Sequence, residues 1–189
     1  MNKRNKFMGT IIVLLVIGML ATSLSLASAT PPTAVSGYWV GGKTTLIDRY
    51  WNGPNMVQIQ SLASSYVSGP IMGSFQQYLT STSHYGDPKL AKELQLKDPS
   101  LYPETDFSWK IERTFSGTVN GKTGTLAMHL ICKGYGNPAK GVTFFDVEGT
   151  WVIISGTGDL TNLHGQGTWW YSRAKPYIFN YEGQIHFDP

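Results

Sequence analysis

Few residues in this chain could do chemistry, and they are scattered. Histidines stand at 84, 129, 164 and 186, a lone cysteine at 132, and strand carboxylates at Asp146, Glu148 and Glu182. Zinc sites need Cys and His clustered at short fixed spacings. No two of these histidines are so spaced, and one cysteine is not a cluster, so neither a metal nor a cofactor is expected. Paired carboxylates could act as general acid and base, but an acid tuned for that work needs a desolvated cleft. Asp146, Glu148 and Glu182 alternate with Phe145, Val147 and Trp151, which places them on a wet face. Asp159, among glycines, reads as a cap for local backbone amides. There is no phosphate loop, no Gly-x-Ser-x-Gly elbow and no His-Glu-x-x-His, and no residue is assigned a catalytic role.

The polar residues on apolar faces are more informative. Arg113 lies between Ile111 and Phe115, and Gln77 between Phe75 and Leu79, at strand spacing. A buried guanidinium must be hydrogen-bonded or paired; otherwise the side chain snorkels to a rim. Ligand pockets are mostly apolar with a few polar handles. Arg113 and Gln77 could be such handles, with Trp109, Trp151, Phe179 and Tyr181 as walls around a small apolar or aromatic ligand.

The elements that would position them are short strands. Runs with period-two alternation, divided by Gly, Pro and Asn clusters, indicate an all-β sandwich or barrel. Eight strands are placed near 38–50, 56–67, 70–83, 106–119, 122–134, 143–154, 165–172 and 177–187. Asn52-Gly53-Pro54-Asn55, Ser68-Gly69-Pro70 and Asn120-Gly121 mark turns. Asn-Gly suits a type I′ hairpin, which needs positive φ at both positions. Eight antiparallel strands can close into a barrel and hide their edges. Residues 84–105 break the pattern. Asp87 as N-cap, Pro88 in the first turn, a stripe of Leu90, Ala91 and Leu94, and the stop at Asp98-Pro99 predict a short inserted helix, either a decorated connection or a lid.

The N-terminus has the form of an export signal. Lys3, Arg4 and Lys6 precede the apolar run Ile11–Leu20, and Ala27-Ser28-Ala29 is a small-x-small cleavage site, so residues 1–29 are expected to be removed. Residues 30–36 read as a flexible leader and 37–189 as one domain. Three of the 15 basic residues lie in the signal, and the remaining twelve match the 12 acidic ones. No electrostatic footprint for nucleic acid is left, and no membrane span is expected after cleavage.

Residues 155–167, Ser-Gly-Thr-Gly-Asp-Leu-Thr-Asn-Leu-His-Gly-Gln-Gly, follow the apolar run Trp151–Ile154. The stretch resembles the Gly-Thr-Gly-x-Leu/Phe-x-x-Leu/Ala-x-Gly signature of the allene oxide cyclase-like barrels, which include the cyclases, dirigent proteins and a bacterial group of unknown function. Phe115–Leu126 is similar to a hairpin of those bacterial members, and Tyr177–Tyr181 to their closing strand. The likeness covers roughly the C-terminal half of the mature chain. Gly37-Tyr38-Trp39 is similar to the Gly-x-Trp that opens lipocalin and avidin barrels. The resemblance implies a calycin-like, eight-stranded antiparallel barrel. It transfers no catalytic residue to this sequence.

In the corner itself, Gly156, Gly158 and Gly165 are expected where a side chain would be forbidden, with Leu160 and Leu163 plugging one barrel end against Trp151 or Trp169. The leading functional expectation is a secreted, non-catalytic module that binds a small ligand or acts as a scaffold. The rival is a cyclase- or dirigent-like enzyme that steers a reactive molecule by shape, with Arg113 and Gln77 as the residues that matter. The family resemblance also implies that trimers are possible. Outward Val152, Ile154 and Trp170 would supply a homo-oligomer interface.

Overall fold

Alternation decides which side chains the strands bury. In β5 (Thr105–Val119), Phe107, Ile111, Arg113, Phe115 and Val119 are buried, while Asp106, Lys110, Glu112, Thr114 and Ser116 are exposed. The computed structural model describes residues 30–95, 105–137, 142–171 and 177–189. The other strands are β1 (Thr33–Val40), β2 (Thr44–Asn52), β3 (Asn55–Ser68), β4 (Ile71–Tyr85), β6 (Lys122–Asn137), β7 (Val142–Gly156), β8 (Leu163–Tyr171) and β9 (Ile178–Phe187). One short helix, α1 (Pro88–Gln95), lies between β4 and β5.

The strands pair in the order β1-β9-β8-β7-β6-β5-β4-β3-β2, and an additional β1–β3 pairing closes eight of them into a ring. The edge of β3 is shared. Tyr38, Trp39 and Val40 of β1 pair with its C-terminal part, while β2 pairs with its first part, from Asn52↔Asn55 to Thr44↔Leu62. β2 therefore stands outside the ring as the end of the order. It carries charges at Asp48 and Arg49 and a bulge between Leu46 and Asp48, features that blunt an edge strand. The apolar residues turned into the ring form one cluster that runs from Val35 and Trp39 through Phe115 and Leu130 to Trp169 and Ile185.

Three sequence expectations change. Residues 33–36 are not a loose leader, because β1 begins at Thr33 and pairs with Ile185 of β9. The single strand expected over 38–50 is two strands, interrupted at Gly41-Gly42, so nine strands form where eight were expected. Tyr177 is not part of the closing strand; it has φ +65 and is largely exposed. Asn120 (φ 51) and Gly121 (φ 81) do adopt the two positive values that a type I′ turn requires.

Helix α1 starts as its cap residue dictates: Asp87 Oδ1 accepts from the Lys89 and Leu90 amides, both at 3.0 Å. Of the expected apolar stripe, Ala91 is buried but Leu90 is exposed; the Leu94 side chain and the Asp98-Pro99 stop lie outside the described residues. Ala91 joins Met56 and Tyr85 in a second small core with Trp51 packed against it, and Lys92 Nζ lies 4.9 Å from the centre of the Trp51 ring. The helix thus covers the far part of β2, β3 and β4. Residues 1–29, which include the expected signal, lie outside the described residues. Among the described residues no helix is long and apolar enough to cross a membrane.

Candidate functional site

Arg113 and Gln77 are direct cross-strand partners in the β4–β5 ladder. Both side chains are buried; Arg113 is 2% exposed, so it does not snorkel to a rim. Its Nε and Nη2 donate to Gln77 Oε1 at 3.0 and 2.7 Å. Two rings flank the guanidinium, Phe75 at 3.9 Å and Trp39 at 4.5 Å. A planar, weakly hydrated cation suits this setting, since aromatic faces attract it once water is excluded. The two polar heads are directed at each other and at rings.

The expected walls fall in two places. Phe179 stacks on Trp39 with centroids 5.5 Å apart, and Tyr181 lies beyond at 6.2 Å from the same ring. Trp39 also meets Trp169 at 5.4 Å, and Trp169 meets Trp109 at 6.5 Å. Trp39 and Trp169 are thus the hub of the network, although sequence reasoning did not count them as walls; the Gly37-Tyr38-Trp39 motif was the available signal for Trp39. Trp151 borders the same interior space as Trp39 and Tyr181 and stands in register with Gly167, which pairs with Gly183. A Cβ on Gly167 or Gly183 would come within 2.7 or 2.5 Å of the indole. The two glycines make a bed for the ring, and its Nε1 donates to the carbonyls of Thr168 and Glu182 at 3.2 and 3.1 Å.

Among the described residues, these aromatic side chains pack closely inside the ring. The space left between Trp39, Ile71, Met128, Leu130, Trp151 and Tyr181 is about 10 Å³, no more than the roughly 10–15 Å³ that one water needs. Neither Arg113 nor Gln77 lines this space.

A larger concavity lies on the outer face of β5–β8. Its sides come from two outward rows in cross-strand register. One row is Ser108, Lys133, Glu148 and Trp170; the other is Lys110, Ile131, Thr150 and Thr168. Its floor is the row between them, Trp109, Cys132, Gly149 and Trp169. The groove holds about 690 Å³, within the roughly 300–1,000 Å³ usual for ligand sites. Ile131 (56% exposed) and Trp170 (38%) supply apolar surface, and the apolar face continues through Val152 and Ile154. Of the expected wall residues only Trp109 reaches this groove.

Cys132 turns its side chain inward. Burial pushes its thiol up to about 12, against a smaller opposing effect of a backbone hydrogen bond at Trp109. The thiolate is the reactive form, so the folded protein at pH 8 should leave a thiol reagent such as DTNB unreacted and release one equivalent of thiol only on unfolding. Rapid reaction of the native chain would contradict this burial.

The glycine corner is built by close packing. Gly158 has φ +62, and a Cβ on Gly156 would fall within 1.9 Å of the Leu160 carbonyl oxygen; on Gly165 it would meet Ile185 and the Gln184 carbonyl. Residues 158–160 form one 3-10 turn. Leu160 and Leu163 are fully buried, with Leu160 lodged beside Gly124. The Thr157 amide donates to the Thr125 carbonyl at 2.9 Å, and Asp159 Oδ2 accepts from the Thr123 amide at 3.3 Å. Asp159 thereby ties the corner to the start of β6.

Strand register brings together two histidines that stand far apart in the sequence. His164 of β8 and His186 of β9 are cross-strand partners with rings stacked at 5.5 Å. Asp188 faces both, at 3.1 Å from His164 Nε2 and 3.4 Å from His186 Nε2. The 22-residue separation hid this, because only the β8–β9 register brings the two together. His84 Nδ1 contacts Asn55 Oδ1 at 2.8 Å, and His129, Glu148 and Glu182 are exposed. The Asp146 side chain lies outside the described residues. Among the described residues no set of three His, Cys, Asp or Glu side chains converges as a metal site.

No protein-family model matches this sequence, and no curated protein does. The fold does have a solved counterpart: the crystal structure of a protein of unknown function from the DUF3224 family of Shewanella oneidensis MR-1, with a TM-score of 0.55 and 14% sequence identity. The match covers 84% of this chain and 99% of that one, and it establishes a shared all-β fold.

Proposed function

We propose that this chain is a secreted, non-catalytic binding module whose ring is an allene oxide cyclase-like, calycin-like barrel, and that its ligand lies on the outer face. The observation that carries the reading is the contrast between a groove of about 690 Å³ and an interior space of about 10 Å³. Export rests on the basic and apolar leader with Ala27-Ser28-Ala29, and the barrel family on the 155–167 stretch. The ligand class is a flat apolar or aromatic molecule, which would lie against Trp170 and Ile131 and meet Lys110, Lys133, Thr150 and Thr168 with its polar groups. Such sites need shape and a few polar contacts, not an acid or base.

The test is a titration with an anilinonaphthalene sulfonate probe followed by fluorescence. Trp170→Ala and Ile131→Asp each should weaken binding about tenfold or more, the cost of losing a central apolar anchor, with circular dichroism showing that each variant stays folded. Equal binding by the parent and both variants would remove the groove from consideration.

A second reading draws on the same face. The exposed run Ile131, Val152, Ile154 and Trp170 is also what a homo-oligomer would cover. Sedimentation of the mature chain separates the readings: an assembly that Val152→Asp with Ile154→Asp dissociates supports the interface, and a monomer at all concentrations rejects it.

A further inference from the structure

We propose that His164 and His186 form a two-armed site for a divalent transition-metal ion, with the Asp188 carboxylate as its neighbouring anion. Neutral imidazole is a ligand of choice for Cu²⁺, Ni²⁺ and Zn²⁺. The ladder holds the two rings side by side, so little ordering is left to be done when an ion binds. His164 and His186 face each other across a hydrogen-bonded strand pair, and their rings lie within 25° of parallel. Their Nε2 edges point to a single carboxylate, at 3.1 and 3.4 Å.

The surroundings suit a cation. Asp188 brings negative charge, and its position is fixed by its own amide, which donates to the Asn162 carbonyl at 2.9 Å. The neighbouring residue is fixed as well: the Phe187 amide donates to Thr30 Oγ1 at 2.9 Å. Both imidazoles are accessible, at 49% and 36% side-chain exposure. They open onto a hollow of about 340 Å³ shared with Gln166 and Gln184, with room for the water ligands that a two-armed site leaves in place. The hollow lies across β8 and β9 and shares no residue with the β5–β8 groove, so the site stands independently of the ligand reading above.

Cu²⁺ itself is the probe, added to the untagged mature protein and followed by calorimetry and electron paramagnetic resonance. The expected result is one ion per chain with hyperfine coupling to two imidazole nitrogens. His164→Ala and His186→Ala should each abolish that signal, and Asp188→Asn should weaken binding about 10- to 100-fold, as loss of a supporting carboxylate commonly does. His84→Ala and His129→Ala should bind as the parent does. Circular dichroism guards against unfolding. Absence of binding at millimolar Cu²⁺, or equal binding by the His164→Ala/His186→Ala double variant, overturns the proposal.

Discussion

Leu160→Ala lowers the melting temperature of the folded chain by about 4–20 °C. The side chain is fully buried in the 3-10 turn that closes the glycine corner. Removing its branch leaves a cavity that the turn cannot fill, because Thr157 is tied to Thr125 and Asp159 to the start of β6. Such truncations cost about 2–5 kcal/mol, and in a domain of this size each kcal/mol moves the midpoint by about 2–4 °C. Leu163→Ala should behave alike. Thr161→Ala, at an exposed position of the same corner, should shift the midpoint far less. Calorimetric melting of the three variants is the measurement. If both leucine variants melt like the parent but lose probe binding, the corner is a binding element and not a structural one.

The second large effect is at the buried pair, and its sign pattern is diagnostic. Gln77→Leu removes the acceptor of two charge-assisted hydrogen bonds of a buried guanidinium, at a cost of about 3 kcal/mol. The double variant Gln77→Leu/Arg113→Met should recover much of that loss. Apolar groups of similar shape then fill the space, and the Met thioether packs well against Phe75 and Trp39. Chemical denaturation of parent, single and double variants gives the comparison. A double variant at least as unstable as Gln77→Leu would mean that the pair contributes net stability. If instead an activity were found that both variants lose while folded, the cyclase- or dirigent-like alternative would replace the binding reading.

What could be read in the sequence follows the range of the forces involved. Asn120-Gly121 specifies its turn locally. Alternation places Arg113, Phe115 and Tyr181 on the inner face because a strand has a period of two. The short helix announces itself through Asp87 and Pro88. Long-range pairing was harder. That Arg113 would meet Gln77 requires the β4–β5 register, and that His164 would meet His186 requires the β8–β9 register; neither is encoded locally. The split of β1 from β2 at Gly41-Gly42 depends on which strand claims each part of the β3 edge. The close packing around Trp39 and Trp151 was out of reach for another reason. Whether a ring of aromatic side chains encloses a cavity depends on how their volumes sum, and here the indole of Trp151 lies on the Gly167–Gly183 bed while Trp39 and Phe75 close around Arg113. The groove on the outside arises from the combined exposure of eight residues on four strands, none of them unusual alone.

The most direct test is a crystal structure of residues 30–189 soaked with a naphthalene sulfonate. Binding on the outer face predicts density over Trp170 and Ile131 on β5–β8, with the sulfonate near Lys110 or Lys133 and the interior side chains unmoved. Density between Trp39, Met128 and Trp151, with Arg113 turned toward the bound molecule, would contradict it.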